Sequence, residues 1–269
     1  MAGISGPIVE LAEWFHTAPG EYVRAWEQAQ FDAVVANAFG YHALQAGLPG
    51  LDMLRANRIP FKIFVGPQPP DPDQAGQWQA CAVAQAEELP FASQSVDLVV
   101  LPHTLECAGQ PHLVLREVER VLVPEGRVVI SGFNPWSLWG ARNRMSGMTP
   151  WLPLPASAQV SLARLKDWFK LLSFEVDRGR FGCYAPACRS DKWLARWNFM
   201  EKAGDRWWPV CGAVYVVSAV KRLRGLRIIG PAWKTRRRSV RQGTSVAVNR
   251  DAGLAGRDAR AGIRRNTSG

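Results

Sequence analysis

Residues 96–101, VDLVVL, are apolar at every position except Asp97. A strand with one wet face alternates apolar and polar side chains. A near-continuous apolar run of this length instead suits a parallel strand covered on both faces. Pro111–Leu122 follows, with Leu113, Val114, Val118, Val121 and Leu122 at helical spacing. Pro124-Glu125-Gly126 then ends the helix, and Arg127–Ile130 begins another strand. Strand, helix, turn and strand within about forty residues form a right-handed βαβ unit, which commits the chain to the α/β class.

The flanking sequence extends this plan. Residues 21–37 have near-helical apolar spacing, and Tyr41–Ala46 and Phe61–Val65 read as short strands. Leu48–Arg58 is a helical candidate with Pro49 in its first turn, and residues 66–77, rich in Pro, Gly and Asp, form a loop. Ala80–Ala84 is a buried-strand candidate. Residues 134–158 carry four Pro and three Trp and read as irregular. Val160–Leu172 is an amphipathic helix, Phe174–Arg178 a strand, 189–203 a helix capped by Gly204, and Val214–Val220 a final strand. No internal repeat is visible. The domain reading is an N-terminal helical segment over 1–40, an α/β domain over 41–230 and a disordered basic tail over 231–269.

The formal charge of +10 belongs to that tail. From Lys221 onward there are 14 Lys or Arg against two Asp, so residues 1–220 are slightly acidic. A near-neutral fold advertises no polyanion groove, whereas the tail, with Lys234-Thr235-Arg236-Arg237-Arg238, is a candidate arm for nucleic acid or anionic lipid. The five cysteines are scattered, and Cys183 and Cys188, the closest pair, have no His-rich neighbour. This reads as neither a disulfide framework nor a metal site, and it points to a reducing, cytoplasmic setting. No run of 18 or more apolar residues suggests a membrane span, and the first residues lack the pattern of a secretory signal.

The βαβ unit also locates a candidate site. In open α/β sheets ligands bind beyond the carboxyl ends of the strands. Here those ends are Leu101-Pro102-His103 and Ser131-Gly132-Phe133-Asn134-Pro135. Three stretches carry a family resemblance: Gln85-Ala86-Glu87-Glu88-Leu89-Pro90-Phe91; Ser95-Val96-Asp97-Leu98-Val99; and Leu115-Arg116-Glu117-Val118-Glu119-Arg120-Val121-Leu122-Val123-Pro124-Glu125-Gly126. In type and spacing they resemble the class I S-adenosylmethionine-dependent methyltransferases, type 11 subgroup.

The resemblance implies a doubly wound, mostly parallel seven-stranded sheet with helices on both faces. Phe174–Arg178 and Val214–Val220 would then form an antiparallel pair. It implies S-adenosyl-L-methionine as cofactor, held by a turn containing Gly47 and Gly50 and by Gln85, Ala86, Leu101, Pro102 and His103. It implies methyl transfer to an acceptor that no motif identifies, a small molecule being one class. Two departures stand out. The loop after the second strand offers no acid for the ribose hydroxyls before Asp71, and Gln85 stands where the family has Asp near the adenine. A glutamine carbonyl still accepts a hydrogen bond from an amine. Losing a charged acceptor costs about 1.5–3 kcal/mol.

The candidate catalytic residues are His103 and Glu106, each with a plainer reading. His103 packs on the cofactor or caps the next helix, and Glu106 is a solvated carboxylate at a helix start. His42 and Asp97 read as structural, Asp97 fixing a turn. Trp136, Trp139, Trp151, Trp207 and Trp208 are candidates for an aromatic lid, or for ordinary packing. Two rival functions remain: a methyltransferase-like scaffold without catalysis, and an RNA-binding or RNA-modifying protein that uses the tail.

Overall fold

A computed structural model describes residues 5–145, 151–188, 196–197 and 199–222. Its strands are β1 (His42–Ala46), β2 (Phe61–Gly66), β3 (Ala80–Val83), β4 (Val96–Pro102), β5 (Leu122–Phe133), β6 (Phe174–Gly182) and β7 (Val214–Lys221). Its helices are α1 (Ser5–Trp14), α2 (Ala18–Val35), α3 (Pro72–Ala75), α4 (Thr104–Cys107), α5 (Pro111–Val121), α6 (Leu138–Arg144), α7 (Leu162–Leu171) and α8 (Phe199–Trp207). The strands form one sheet in the order β3-β2-β1-β4-β5-β7-β6. β1 to β5 pair in parallel, and β7 runs antiparallel to both β5 and β6. This is the Rossmann-like arrangement expected from the sequence.

The apolar run in β4 has the two-sided burial that its pattern predicted. Leu98 and Val100 join one core with Leu11, Phe15, Val23 and Phe31 of the α1–α2 region. Val99 and Leu101 join the opposite core with Val114, Val118 and Val121 of α5 and Leu165 and Phe169 of α7. Successive strand side chains point to opposite faces, so helices on both sides require apolar residues throughout. The same packing corrects the domain reading. The N-terminal helices are no separate segment, because α1 and α2 supply one face of the same core.

Several local expectations change. α2 begins at Ala18, where the Thr17 hydroxyl accepts from the Gly20 N–H and Pro19 sits in the first turn. Leu48–Arg58 is a series of turns and not a helix, because the buried Gln45 side chain takes over its backbone groups. The loop 66–77 contains the single turn α3, and the irregular region 134–158 contains α6, capped by Ser137.

Gly204 lies inside α8 and does not end it; a Cβ there would come 2.2 Å from the Tyr184 ring, so glycine permits close packing. Lys221 is no part of a solvated tail: its Nζ is buried and donates to the carbonyls of Glu119 (2.5 Å) and Leu122 (3.0 Å). Residues 189–195 and 231–269, where the first part of a helix and the tail were expected, lie outside the described residues. No helix among the described residues is long and apolar enough to cross a membrane.

Candidate cofactor site

The chain leaves β1, runs outward through β2 and β3, and returns to β4 on the other side of β1. This reversal opens a crevice beyond the carboxyl ends of β1 and β4, where no crossover covers the strand ends. The turn after β1 is tightly built. Gly47 has φ +111°, a conformation that side chains disfavour, and a Cβ there would lie 2.6 Å from Thr104 Oγ1. Thr104 Oγ1 in turn donates to the Ala46 carbonyl at 2.7 Å, fastening α4 to the end of β1. Below the turn, Gln45 Nε2 donates to the carbonyls of Leu48 and Leu51, and its Oε1 accepts from Met53 N–H. Gly50 is under no such constraint: the nearest atom to a Cβ there is Gln74 Nε2, at 3.8 Å.

A cavity of about 280 Å³ opens above this turn, lined by Gly47, Leu48, Pro49, Gly50 and Leu51 from below. Gln68, Asp71 and Gln74 enclose it from the loop after β2, and Ile8, Ala12, His16 and Arg24 from the N-terminal helices and the link between them. A small adjoining hollow shares Ile8, Gly47 and Pro67 with it and is lined further by Gln85, Ala86, Glu87 and Thr104. Of the expected cofactor residues, Gly47 and Gly50 line the cavity, and Gln85 and Ala86 line the adjoining hollow that shares Gly47 with it.

The other three do not reach it. Leu101 lies in the core on the α5 side, Pro102 closes β4 behind Gly47, and His103 is completely buried. In exchange the fold brings in Asp71 from the loop after β2. It also brings in Gln74, whose buried Oε1 has no hydrogen-bond partner. An acceptor without a donor at the wall of a cavity suits a hydroxyl-bearing ligand. Glycine at the turn, two amide side chains and a carboxylate make a donor set that fits a nucleoside with an attached charged chain. The contribution of α1 and Arg24 was missed. The available signal was the Thr17-Ala18-Pro19 helix start, which separates α1 from α2 and folds one back over the site.

His103 sits at φ +51° between β4 and α4, and its ring is engaged on both sides. Nδ1 lies 2.7 Å from Glu106 Oε2 and Nε2 lies 2.9 Å from Glu27 Oε1. Phe15 and Phe133 pack on it at centroid distances of 5.5 and 4.3 Å. Glu106 Oε1 also accepts the Phe133 N–H at 2.8 Å. Burial disfavours the imidazolium, but the Glu27 carboxylate and the hydrogen bonds to both acids outweigh it and hold the His103 pKa up at about 10. Burial also raises the Glu106 pKa, against the pull of His103.

These contacts correct both catalytic assignments. His103 neither caps α4 with its side chain nor touches the cavity, and Glu106 is not solvated. The cluster joins α2, β4, α4 and β5 into one floor under the site.

The tryptophans divide. Trp139 and Trp151 are buried and pack edge to face at 5.7 Å, which removes them from any lid. Trp136, Trp207 and Trp208 are exposed near the end of β5, and none lines the cavity. No cluster of three or more metal-ligating side chains occurs among the described residues.

Residues 71–130, from the rim of the cavity through β4 and α5 into β5, match the sequence profile of a methyltransferase domain family, type 11. The chain thus carries a type 11 methyltransferase family segment within a class I methyltransferase fold. The chain is 47% identical over 164 residues to the uncharacterized protein YafS of Escherichia coli (strain K12), a match covering 61% of this chain and 65% of YafS. Solved structures share the fold at low identity. A chain of the complex between the Haloferax volcanii Trm112 methyltransferase activator and a methyltransferase superimposes with TM-score 0.55 and 18% identity, covering 81% of this chain and 98% of that one. A SAM-dependent methyltransferase from Archaeoglobus fulgidus gives TM-score 0.51 and 17% identity, covering 74% and 94%. The methyltransferase sheet thus extends well beyond the segment that the family profile matches.

Proposed function

We propose that this methyltransferase domain uses S-adenosyl-L-methionine to methylate an acceptor in the cytoplasm. The observation that carries the reading is the cavity above Gly47 at the switch point of the sheet, which adjoins through Gly47 the small hollow lined by Gln85 and Ala86. When bound, the cofactor supplies an already activated methyl group, so the protein's task is chiefly positioning. Gly47 lets the backbone approach the ligand. Gln85 offers an amide to the adenine edge, and Asp71 and the unpartnered Gln74 Oε1 offer acceptors to the ribose hydroxyls. Asp71 thereby supplies the acid that the end of β2 lacks. With His103 and Glu106 withdrawn into the floor, neither is assigned proton transfer.

Isothermal titration of the purified chain with S-adenosylmethionine and with S-adenosylhomocysteine tests this reading, with saturable binding expected. No heat of binding at millimolar ligand would end it. A methyl-acceptor screen on cell extract would then identify the acceptor class.

A further inference from the structure

Three α2 residues spaced by four, Arg24, Gln28 and Asp32, form a row facing the segment after β1. Asp32 pairs with Arg55 at 2.6 Å, and Gln28 Nε2 donates to the Asp52 carbonyl at 2.9 Å. Arg24, the next member of the row, makes no hydrogen bond or ion pair among the described residues and instead lines the cavity beside the Gly47–Leu51 turn. The other charged or titratable side chains on that wall are Glu13, His16 and Asp71. Arg24 is therefore the one permanent cation lining the cavity among the described residues.

We propose that Arg24 receives the carboxylate of the ligand's amino-acid end and so fixes which way the ligand lies. This rests on the reading of the cavity as a cofactor site. The chemistry favours Arg24 because a guanidinium offers a fork of N–H donors matched to a carboxylate, and charge-assisted hydrogen bonds of this kind are stronger than neutral ones. It requires no rearrangement of a partner, since Arg24 has none to release among the described residues. The assignment also gives α2 a direct part in binding, through the same helix that anchors the floor by Glu27.

The test compares two thioethers by calorimetry. S-adenosylhomocysteine carries the amino-acid end, and 5′-methylthioadenosine lacks it. Arg24→Ala should weaken S-adenosylhomocysteine roughly 10- to 100-fold and shift 5′-methylthioadenosine by less than about twofold. Binding of 5′-methylthioadenosine by the variant also reports that its cavity has folded. Equal weakening of both ligands, or no change in either, would overturn the assignment while leaving the cofactor site standing. If the unaltered chain binds neither ligand, the methyltransferase reading falls and the assignment with it.

Discussion

His103 Nε2 lies 2.9 Å from Glu27 Oε1, with both side chains wholly removed from solvent and 76 positions apart in the chain. The pair joins the middle of α2 to the end of β4. Removing one member leaves a buried charge without compensation. His103→Ala should therefore destabilise the fold by about 3–5 kcal/mol, read as a shift of the urea midpoint at neutral pH. A shift below about 1 kcal/mol would show that the pair is not a charged one.

The same pair sets a pH dependence. The folded-state pKa of His103, about 10, lies above its ordinary value of 6.5, so the native state binds this proton more tightly than the unfolded chain. Its contribution is complete below pH 6.5 and is lost as pH rises toward 10. Urea midpoints measured between about pH 6 and 9 should fall with rising pH in the native sequence and flatten in His103→Gln. Parallel slopes would place the titration elsewhere.

The two glycines of the first turn should separate sharply. Gly47→Ala must hold a side chain at φ +111° and push it against Thr104, so it should cost about 1–3 kcal/mol and weaken S-adenosylhomocysteine binding. Gly50→Ala meets nothing closer than 3.8 Å and should stay within about 0.5 kcal/mol of the parent. Thermal melts and titration of both variants check this. Equal effects would mean that the turn is less constrained than its dihedral angle indicates.

Asp97 Oδ2 accepts the N–H groups of Tyr41 and His42, at 2.7 and 3.0 Å, and so fixes the start of β1 against β4. Asp97→Ala leaves two backbone donors to water and should cost about 1–3 kcal/mol, with Asp97→Asn milder because its carbonyl still accepts. Hydrogen exchange at Tyr41 and His42 should speed up in the alanine variant. Unchanged exchange would contradict this role.

What could be read from the sequence was local or repetitive. Val96–Leu101 displayed its two-sided burial because each face of a parallel strand needs its own apolar residues. The stretch from Gln85 to Gly126 kept its spacing because strand, helix and turn lengths are fixed by geometry. The floor could not be read in this way. Nothing near His103 or Glu106 announces that Glu27 will meet them, and without that third group a histidine and a glutamate after a strand look like solvated or catalytic residues. Leu48–Arg58 has an acceptable helical pattern, and only the buried Gln45 side chain, by taking two carbonyls and one N–H, directs it into turns. Asp71 fell outside the expected position because loop length, more than residue order, decides which side chain reaches the cavity.

The position of β7 has a consequence for how the protein is made. β7 contributes residues 214–221, yet it lies between β5 and β6 and supplies the hydrogen-bonded neighbour of each. While the chain emerges from the ribosome, β6 therefore has no sheet to join and the outer edge of β5 stays open. Only when Lys221 clears the exit can both gaps close together. A nascent chain stalled before that point exposes an unpaired strand edge to its neighbours, the kind of surface that chaperones shield during synthesis.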